Sequence, residues 1–432
     1  MNIVEVFISN NQQYLWQYLS IRILIGWVIV SLLPAVLLFW EYIITDNILI
    51  TQVNSAFASS VAIILSLLGL ERLTQFPGQK SMITVLPTLL ASGLLVGLVL
   101  LIFRLPYSVY YLLMSAVLGV IFCFLSQVYL RSVTKVTIGY IPIGRCQSLL
   151  DINDVCWIEL TPCFEPNNHH RLPFHAVVAD LSDQGLSEEW EKLLAETALQ
   201  GTPVYNVLQV RESLTGRLPI KHLYENNLGS LLPSQGYLLV KRLLDTIIVL
   251  LTAPMVLPLG LLLALAIKWE SRHSGGTVLF RQQRIGQGGR LFTMYKFRSM
   301  IASAEENGAQ MATTDDMRVT KLGNFIRQTR LDELPQFINV LKGEMSIIGP
   351  RPEQLDFVER FNETIPFYRY RHIVKPGISG WAQVMHGYAS DEDETKIKLE
   401  HDFFYIKNFS LTLDLLIVIK TIQTMVTGFG AR

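Results

Sequence analysis

The stretch LLVKRLLDTIIVLLTAPMVLPLGLLLALAIKW, residues 238–269, decides how this chain is built. It is apolar for longer than the ~20 residues that carry a helix across a bilayer. Two prolines, Pro254 and Pro258, stand near its middle, and each removes a helix hydrogen bond and bends the axis. Lys241 and Arg242 lie at one end, with Lys268, Arg272, Arg281 and Arg284 at or beyond the other. Basic flanks stay in the cytoplasm, so a straight span would expel one set. A helix bent at the prolines that re-enters the same leaflet satisfies both and keeps the following basic region inside. The alternative is an ordinary fifth span with a proline kink.

Upstream lie four further apolar segments, Ile21 to Trp40, Val53 to Leu70, Ile83 to Phe103 and Val109 to Leu130. Each is near spanning length; the second, with Asn54 and four serines, is the most polar. Arg72 and Lys80 follow the second segment and Arg131 and Lys135 the fourth, whereas Glu41 and Asp46 occupy the first loop and only Arg104 the third. That asymmetry predicts that both ends of the bundle face the cytoplasm. Glu5 and a polar stretch through Ser20 precede the first segment, and no small-residue cleavage site closes it, so it reads as an anchor. Across 432 residues the hydrophobic share is 50%, gathered into these runs, which marks a membrane protein. Thirty-six basic residues balance 36 acidic ones, so no global charge argues for nucleic acid.

From about Val133 to Pro233 the composition is that of a soluble domain. Pro173 to Leu181 reads as a buried strand, Ser187 to Gln200 as an amphipathic helix and Val204 to Val207 as a second strand, a βαβ-like unit. It lacks the glycine fingerprint of dinucleotide sites. Cys123, Cys146, Cys156 and Cys163 show no CxxC spacing, which fits a reducing compartment. Cys163 with His169, His170 and His175 matches no standard zinc spacing.

Downstream of the proline-bearing run, Thr277 to Arg284 and Leu291 to Arg298 read as strands joined by a glycine-rich hairpin turn at Ile285 to Gly289. Lys296 and Arg298, two residues apart on a strand, share a face that can grip a diphosphate. In Thr329 to Gly343, Thr329 and Asp332 have capping-box spacing and Pro335 suits a first turn, so a helix is predicted to start at Thr329 and end near Gly343. Asp332 and Glu333 at that start either favour the helix dipole or do chemistry, one attacking phosphorus while the other holds Mg²⁺. Gly349-Pro350-Arg351-Pro352 stiffens an arginine able to fork onto phosphate, and Lys375-Pro376-Gly377 adds a rigid turn behind a cation. Phe403 to Thr427 interleaves Lys407, Asp414 and Lys420 with apolar residues, the pattern of an interfacial or a packed helix.

In this order the motifs resemble the bacterial polyprenyl-phosphate hexose-1-phosphate transferases, the monotopic phosphoglycosyl transferases that initiate exopolysaccharide and O-antigen (lipopolysaccharide) assembly. The similarity covers about Tyr237 to Arg432, through Lys241-Arg242, Lys296-Phe297-Arg298-Ser299-Met300, Leu331-Asp332-Glu333-Leu334-Pro335-Gln336, Gly349-Pro350-Arg351-Pro352 and Pro376-Gly377-Ile378-Ser379-Gly380-Trp381. The preceding region resembles the long form of the family, which includes undecaprenyl-phosphate galactose and glucose phosphotransferases. The resemblance implies a membrane α-helical bundle (1–132), an α/β Rossmann-like cytoplasmic domain (133–236) and an α+β monotopic catalytic domain with a re-entrant membrane helix (237–432). It further implies that Asp332 takes the sugar phosphate from a UDP-sugar and expels UMP, that Glu333 with Asp332 binds Mg²⁺, and that undecaprenyl phosphate then attacks the acyl phosphate. Lys296, Arg298, Arg351, Arg281 and Arg284 would hold phosphates, Lys241 and Arg242 would lie at the headgroup boundary, and Pro254 and Pro258 would form the bend. The setting implied is the bacterial inner membrane, with the catalytic domain on the cytoplasmic face and a homodimer expected. Two departures stand out. Many members have Ser-Pro at the bend where this chain has Ala253-Pro254, and many carry an arginine after Gln-Val-Asn-Gly where this chain has Gln383-Val384-Met385-His386-Gly387-Tyr388. Sugar and nucleotide preference therefore stay open. The rival readings are a glycosyltransferase that releases UDP and a non-catalytic membrane scaffold or sensor of polysaccharide assembly.

Overall fold

The computed structural model describes residues 18–44, 49–74, 84–133, 137–152, 155–161, 174–220, 232–272, 276–301, 317–387 and 391–427. Asp46, Lys80, Lys135, Cys163, His169, His170 and Tyr388, which entered the sequence reading, lie outside them. The chain divides into two compact units, Met1–Gly216 and Arg217–Arg432.

In the first unit the four apolar segments form helices of membrane-spanning length, over Leu19–Trp40, Ile50–Leu73, Val85–Ile102 and Val109–Leu130. The first passes through a π-helical turn at Val28–Leu32. Val30, Ile63, Leu67, Leu70, Val85, Phe122 and Cys123 pack between the helices. Hydroxyls add directional contacts: Ser31 bonds Ser60 at 2.8 Å, and the Tyr111 hydroxyl donates to the Ser31 carbonyl at 2.6 Å. Such bonds hold membrane helices together, where hydrocarbon offers polar groups no other partner. The expected βαβ unit is present as strand β3 (Ala176–Ala179), helix Glu188–Leu199 and strand β4 (Val204–Asn206). Two strands that the sequence reading did not resolve, β1 (Thr137–Tyr140) and β2 (Cys156–Glu159), complete a parallel sheet of order β2-β1-β3-β4. β3 is buried along its whole length between apolar clusters on both faces, which explains its unbroken run of small and branched residues.

The second unit begins with one long helix, Gln235–Glu270, that runs through Pro254 and Pro258. Its two ends are packed, at Lys241, Asp245 and Val249 and again at Leu263 and Ile267. Its middle is not: Leu250, Leu251, Met255, Leu257, Leu261 and Leu262 are exposed, the state expected of side chains that meet lipid. Strands β5 (Leu279–Ile285) and β6 (Leu291–Phe297) form the predicted hairpin about the glycine-rich turn. A second pair, β7 (Ser346–Ile348) and β8 (Gly377–Ser379), runs parallel and brings the two proline-glycine motifs together. Gly349 N donates to the Ser379 carbonyl at 2.8 Å and Gly377 N to that of Pro350 at 2.9 Å. A Cβ on Gly377 would overlap the Gly349 backbone nitrogen, and one on Gly349 would overlap the Lys375 carbonyl. Glycine at both positions is thus a requirement of backbone lying on backbone.

The C-terminal apolar stretch is broken at Asn408 into helices Glu392–Lys407 and Leu411–Thr427. The second buries Leu413, Leu416 and Ile417 and exposes Leu411, Leu415, Val418, Ile422 and Met425, a stripe at helical spacing. The packed reading thus holds for one face, and the exposed apolar stripe is the kind of face the interfacial reading requires. Asp414 on this helix is buried and receives Lys241 at 2.5 Å, the Tyr237 hydroxyl at 2.6 Å and the Tyr405 hydroxyl at 2.9 Å. That ion pair ties the long helix to the last one. Removing one partner of a buried pair strands the other charge and costs about 3–5 kcal/mol. We expect Asp414→Ala to lower the melting temperature of the detergent-solubilised chain by several degrees, and Lys241→Met with Asp414→Leu to recover most of the loss. An unchanged melting curve for Asp414→Ala would refute the role given to the pair.

Candidate active site

Asp332 and Glu333 lie in a single 3₁₀ turn, Leu331–Glu333, and not at the start of a helix capped by Thr329. Thr329 instead closes the preceding helix, Lys321–Gln328, and its hydroxyl donates backwards to the carbonyls of Phe325 (2.8 Å) and Ile326 (3.3 Å). A capping hydroxyl must accept from N–H groups ahead of it, so the capping-box reading fails. Arg330 then reverses the chain in the left-handed region at φ 55°. The helix that follows runs over Gln336–Lys342, after Pro335, and ends as anticipated at Gly343, whose φ is 82°. Leu331 and Leu334 pack on the apolar cluster of Leu263, Ile267, Phe297 and Ile326, which fixes the two acids between them.

Both carboxylates are buried, and isolated buried charge is costly. Cations from two distant motifs offset that cost. Arg351 reaches Glu333 Oε1 at 3.1 Å, and Lys296, at the end of β6, approaches the same oxygen at 3.6 Å. Burial works to raise the carboxyl of Glu333, yet the charges of Arg351, Lys296 and Arg330 outweigh it and hold it below its usual range. Asp332 goes the other way: burial, reinforced by the charge of Glu333, pushes it up to about 6 against the pull of Lys296, Arg351 and Arg327. Lys296 is lowered to about 8 by burial and by its like-charged neighbour Arg351, with Glu333 and Asp332 opposing. Two adjacent acids driven apart in this manner are suited to different tasks.

Glu333 Oε2 is buried without a hydrogen-bond partner. No cluster of three His, Cys, Asp or Glu side chains forms a metal cage among the described residues. A Mg²⁺ ion bound by one or two carboxylates and by the phosphates of a substrate needs no such cage, and the free oxygen of Glu333 fits that mode.

The remaining sequence candidates separate. Arg284 stays near the site: its charge acts on Lys296, and it bonds the Pro352 carbonyl at 3.1 Å. Arg281 does not join it, because alternation along β5 places it opposite Tyr295, over whose ring it lies at 5.9 Å, on the face away from Lys296. Arg298 follows the end of β6 and donates to the Ser271 hydroxyl at the end of the long helix. Lys241 and Arg242 are both engaged within the protein. The first is buried on Asp414, and the second donates to the carbonyls of Val340 and Leu341 that the helix Gln336–Lys342 leaves open at its end. Pro254 and Pro258 lie in the exposed middle of the long helix.

A supporting layer escaped the sequence reading. Glu353 faces Lys398 at 2.6 Å, Arg371 at 3.7 Å and Arg284 at 3.8 Å. Burial opposes ionisation there, yet those three cations hold its carboxyl at about 2. Arg371 also pairs with Asp402 at 2.8 Å and donates to the Arg351 carbonyl at 3.0 Å, so the residue that grips Glu333 is itself gripped from behind. Arg327 and Arg330 were likewise missed, although their closeness in sequence to Asp332 was a usable signal. Glu353, Arg371, Lys398 and Asp402 meet only through tertiary contacts.

Comparison with known proteins bears on this arrangement. The profile of the bacterial sugar transferases matches residues 236–428. A UDP-N-acetylgalactosamine-undecaprenyl-phosphate N-acetylgalactosaminephosphotransferase of Aeromonas hydrophila is 49% identical over 395 residues, 91% of this chain and 90% of that protein. A UDP-glucose:undecaprenyl-phosphate glucose-1-phosphate transferase of Escherichia coli is 39% identical over 221 residues, 50% of this chain and 46% of that protein. A putative undecaprenyl-phosphate N-acetylgalactosaminyl 1-phosphate transferase of Bacillus subtilis is 45% identical over 135 residues, 31% of this chain and 74% of that protein.

The electrostatics of the site are testable without a substrate. Acylation of Lys296 by a small amine reagent, followed by mass spectrometry across pH, is expected to show a midpoint of about 8, against ~10.4 for an ordinary lysine. Because the carboxylate of Glu333 raises that midpoint, Glu333→Gln should move it lower still. A midpoint in the ordinary lysine range would remove the basis for a buried, cation-rich site.

Proposed function

This chain belongs to the bacterial sugar transferase family, and from that premise we propose that it moves a hexose 1-phosphate from a UDP-sugar onto undecaprenyl phosphate, releasing UMP. The contrast within the acid pair carries the reading. Asp332, raised by burial and by the charge of Glu333 while Glu333 itself is lowered, is the less firmly held carboxylate of the two, which suits it to attack phosphorus. Glu333, kept charged by Arg351 and Lys296, suits the role of a fixed electrostatic partner.

In the proposed cycle an Asp332 oxygen attacks the sugar-bearing phosphorus of the donor. The bond from that phosphorus to the bridging oxygen breaks, UMP leaves with the electron pair, and an aspartyl phosphosugar remains. An oxygen of undecaprenyl phosphate then attacks the same phosphorus, breaks its bond to Asp332 and regenerates the carboxylate as undecaprenyl diphosphosugar departs. No net proton is transferred. Lys296 and Arg351, already at the pair, neutralise charge on the diphosphate as it enters. Glu333 and Asp332 would hold Mg²⁺, which when bound supplies further neutralisation of the diphosphate. The extended similarity to the Aeromonas enzyme makes UDP-N-acetylgalactosamine the donor to test first.

The membrane setting follows from the long helix and the exposed stripe on Leu411–Thr427. Both packed ends of Gln235–Glu270 dock on the same unit, near Val340 and Asp414 at one end and near Phe297 and Ile326 at the other. With basic residues at both flanks, this supports a re-entrant hairpin in the cytoplasmic leaflet of the inner membrane, with the catalytic unit in the cytoplasm. A water-soluble donor and a lipid phosphate can both reach a site held there, which suits the first membrane step of exopolysaccharide or O-antigen synthesis.

Purified chain given UDP-N-acetylgalactosamine, undecaprenyl phosphate and Mg²⁺ is expected to release UMP, and Asp332→Asn to reduce that release by at least about a thousandfold. Release of UDP, or retention of activity by Asp332→Asn, would sink the mechanism. In a chain whose native cysteines are replaced by serine, a cysteine at Trp269, which is exposed, should be labelled by an impermeant reagent only from the cytoplasmic side. Labelling from the periplasm would make the helix a through-going span.

A further inference from the structure

Arg330 stands out on two independent observations. Its backbone occupies the left-handed region at φ 55° and ψ 20°, which strains any residue with a Cβ and tends to persist where it positions a side chain. The conformation is pinned from both sides: Arg330 N donates to the Arg327 carbonyl at 3.1 Å, and the Arg330 carbonyl accepts from Glu333 N at 3.2 Å. The second observation concerns the other end of the residue. Arg330 Nη1 is buried and has no hydrogen-bond partner among the described residues. A buried guanidinium N–H without an acceptor is a standing penalty, and it is relieved when an acceptor arrives.

The acceptor missing here is not Glu333. Arg330 lowers the carboxyl of Glu333 through its charge, yet Glu333 Oε2 is itself buried without a partner, so a spare donor and a spare acceptor coexist without satisfying each other. Lys296 and Arg351 differ from Arg330 in this respect, because both already approach Glu333 Oε1. A cation with an unused N–H, placed by a strained turn two residues before Asp332, calls for an anionic oxygen brought by a ligand.

We propose that Arg330 binds the diphosphate of the nucleotide-sugar donor through Nη1, as a ligand additional to the motif cations Lys296 and Arg351. The assignment rests on the transfer reading for its choice of donor, but it concerns binding and can be measured apart from turnover. The lipid acceptor also carries a phosphate, so the experiment must separate the two sources.

The full-length chain in nanodiscs carrying Asp332→Asn is titrated calorimetrically with UDP-N-acetylgalactosamine and Mg²⁺. Adding Arg330→Gln is expected to weaken donor binding by at least about tenfold, the range for a lost hydrogen bond between charged groups. Arg330→Lys should recover part of the loss, since it restores charge without the guanidinium fork. Arg330→Gly relaxes the positive φ while deleting the side chain, so it guards against a folding artefact and should lose donor affinity as Arg330→Gln does. In the otherwise unaltered enzyme, Arg330→Gln should raise KM for the donor and leave KM for undecaprenyl phosphate within twofold. Donor affinity within twofold of the parent in either Arg330→Gln or Arg330→Gly overturns the proposal, as does a KM increase confined to the lipid. Failure of the transfer reading looks different: the chain with Asp332 and Arg330 intact would release no UMP from any UDP-sugar, whatever the Arg330 titrations show.

Discussion

The site is organised around the burial of the Glu333 carboxylate. Withdrawing a carboxylate from water is affordable only if cations replace the lost hydration. Arg351 and Lys296 do so from segments far apart in the chain, and their convergence on one oxygen sets the relation between the strand β6, the 3₁₀ turn and the segment after β7. Asp332 inherits the consequence. It shares the burial and feels the charge of its neighbour, so it is raised while Glu333 is lowered. One nonpolar setting and one asymmetric set of cations thus shift two adjacent acids in opposite directions.

The cations are in turn held by a layer of buried ion pairs. Arg371 supports the Arg351 carbonyl and pairs with Asp402, and Glu353 gathers Lys398, Arg371 and Arg284. Beneath them, β7 and β8 meet through glycines whose missing side chains let backbone lie on backbone. Arg351 extends from this rigid base, so its guanidinium is held in a fixed orientation on Glu333.

The same economy governs the membrane attachment. Lys241, Arg242 and Asp245 lie within two turns of the long helix, and each is used inside the protein: on Asp414, on the carbonyls of Val340 and Leu341, and on the Ser346 hydroxyl at 2.7 Å with Ile347 N at 3.2 Å. Polar residues at the root of an apolar helix here fasten it to the catalytic unit. The exposed leucines beyond them are left for the bilayer.

Period and composition alone determined that this chain carries five membrane-length apolar helices, a βαβ unit, a glycine-turned hairpin and a helix ending at Gly343, although the same pattern places the acid pair inside that helix and it stands in a separate turn before it. Those are local properties, set by hydrophobic runs, strand alternation and the conformational freedom of glycine. The order of the motifs also carried the family resemblance. What only the tertiary structure decided is where each charge is spent. Lys241, Arg242, Arg281 and Arg298 look in sequence like free cations beside a site, yet packing assigns them to an ion pair, a helix end, a ring and a hydroxyl. Thr329 has the spacing of a cap but closes the helix before it, because the left-handed turn at Arg330 intervenes. Glu353 and Arg371 show no local signal, since their partners come from other segments. Burial and charge pairing are sums over neighbours distant in the chain, and no local pattern encodes such a sum.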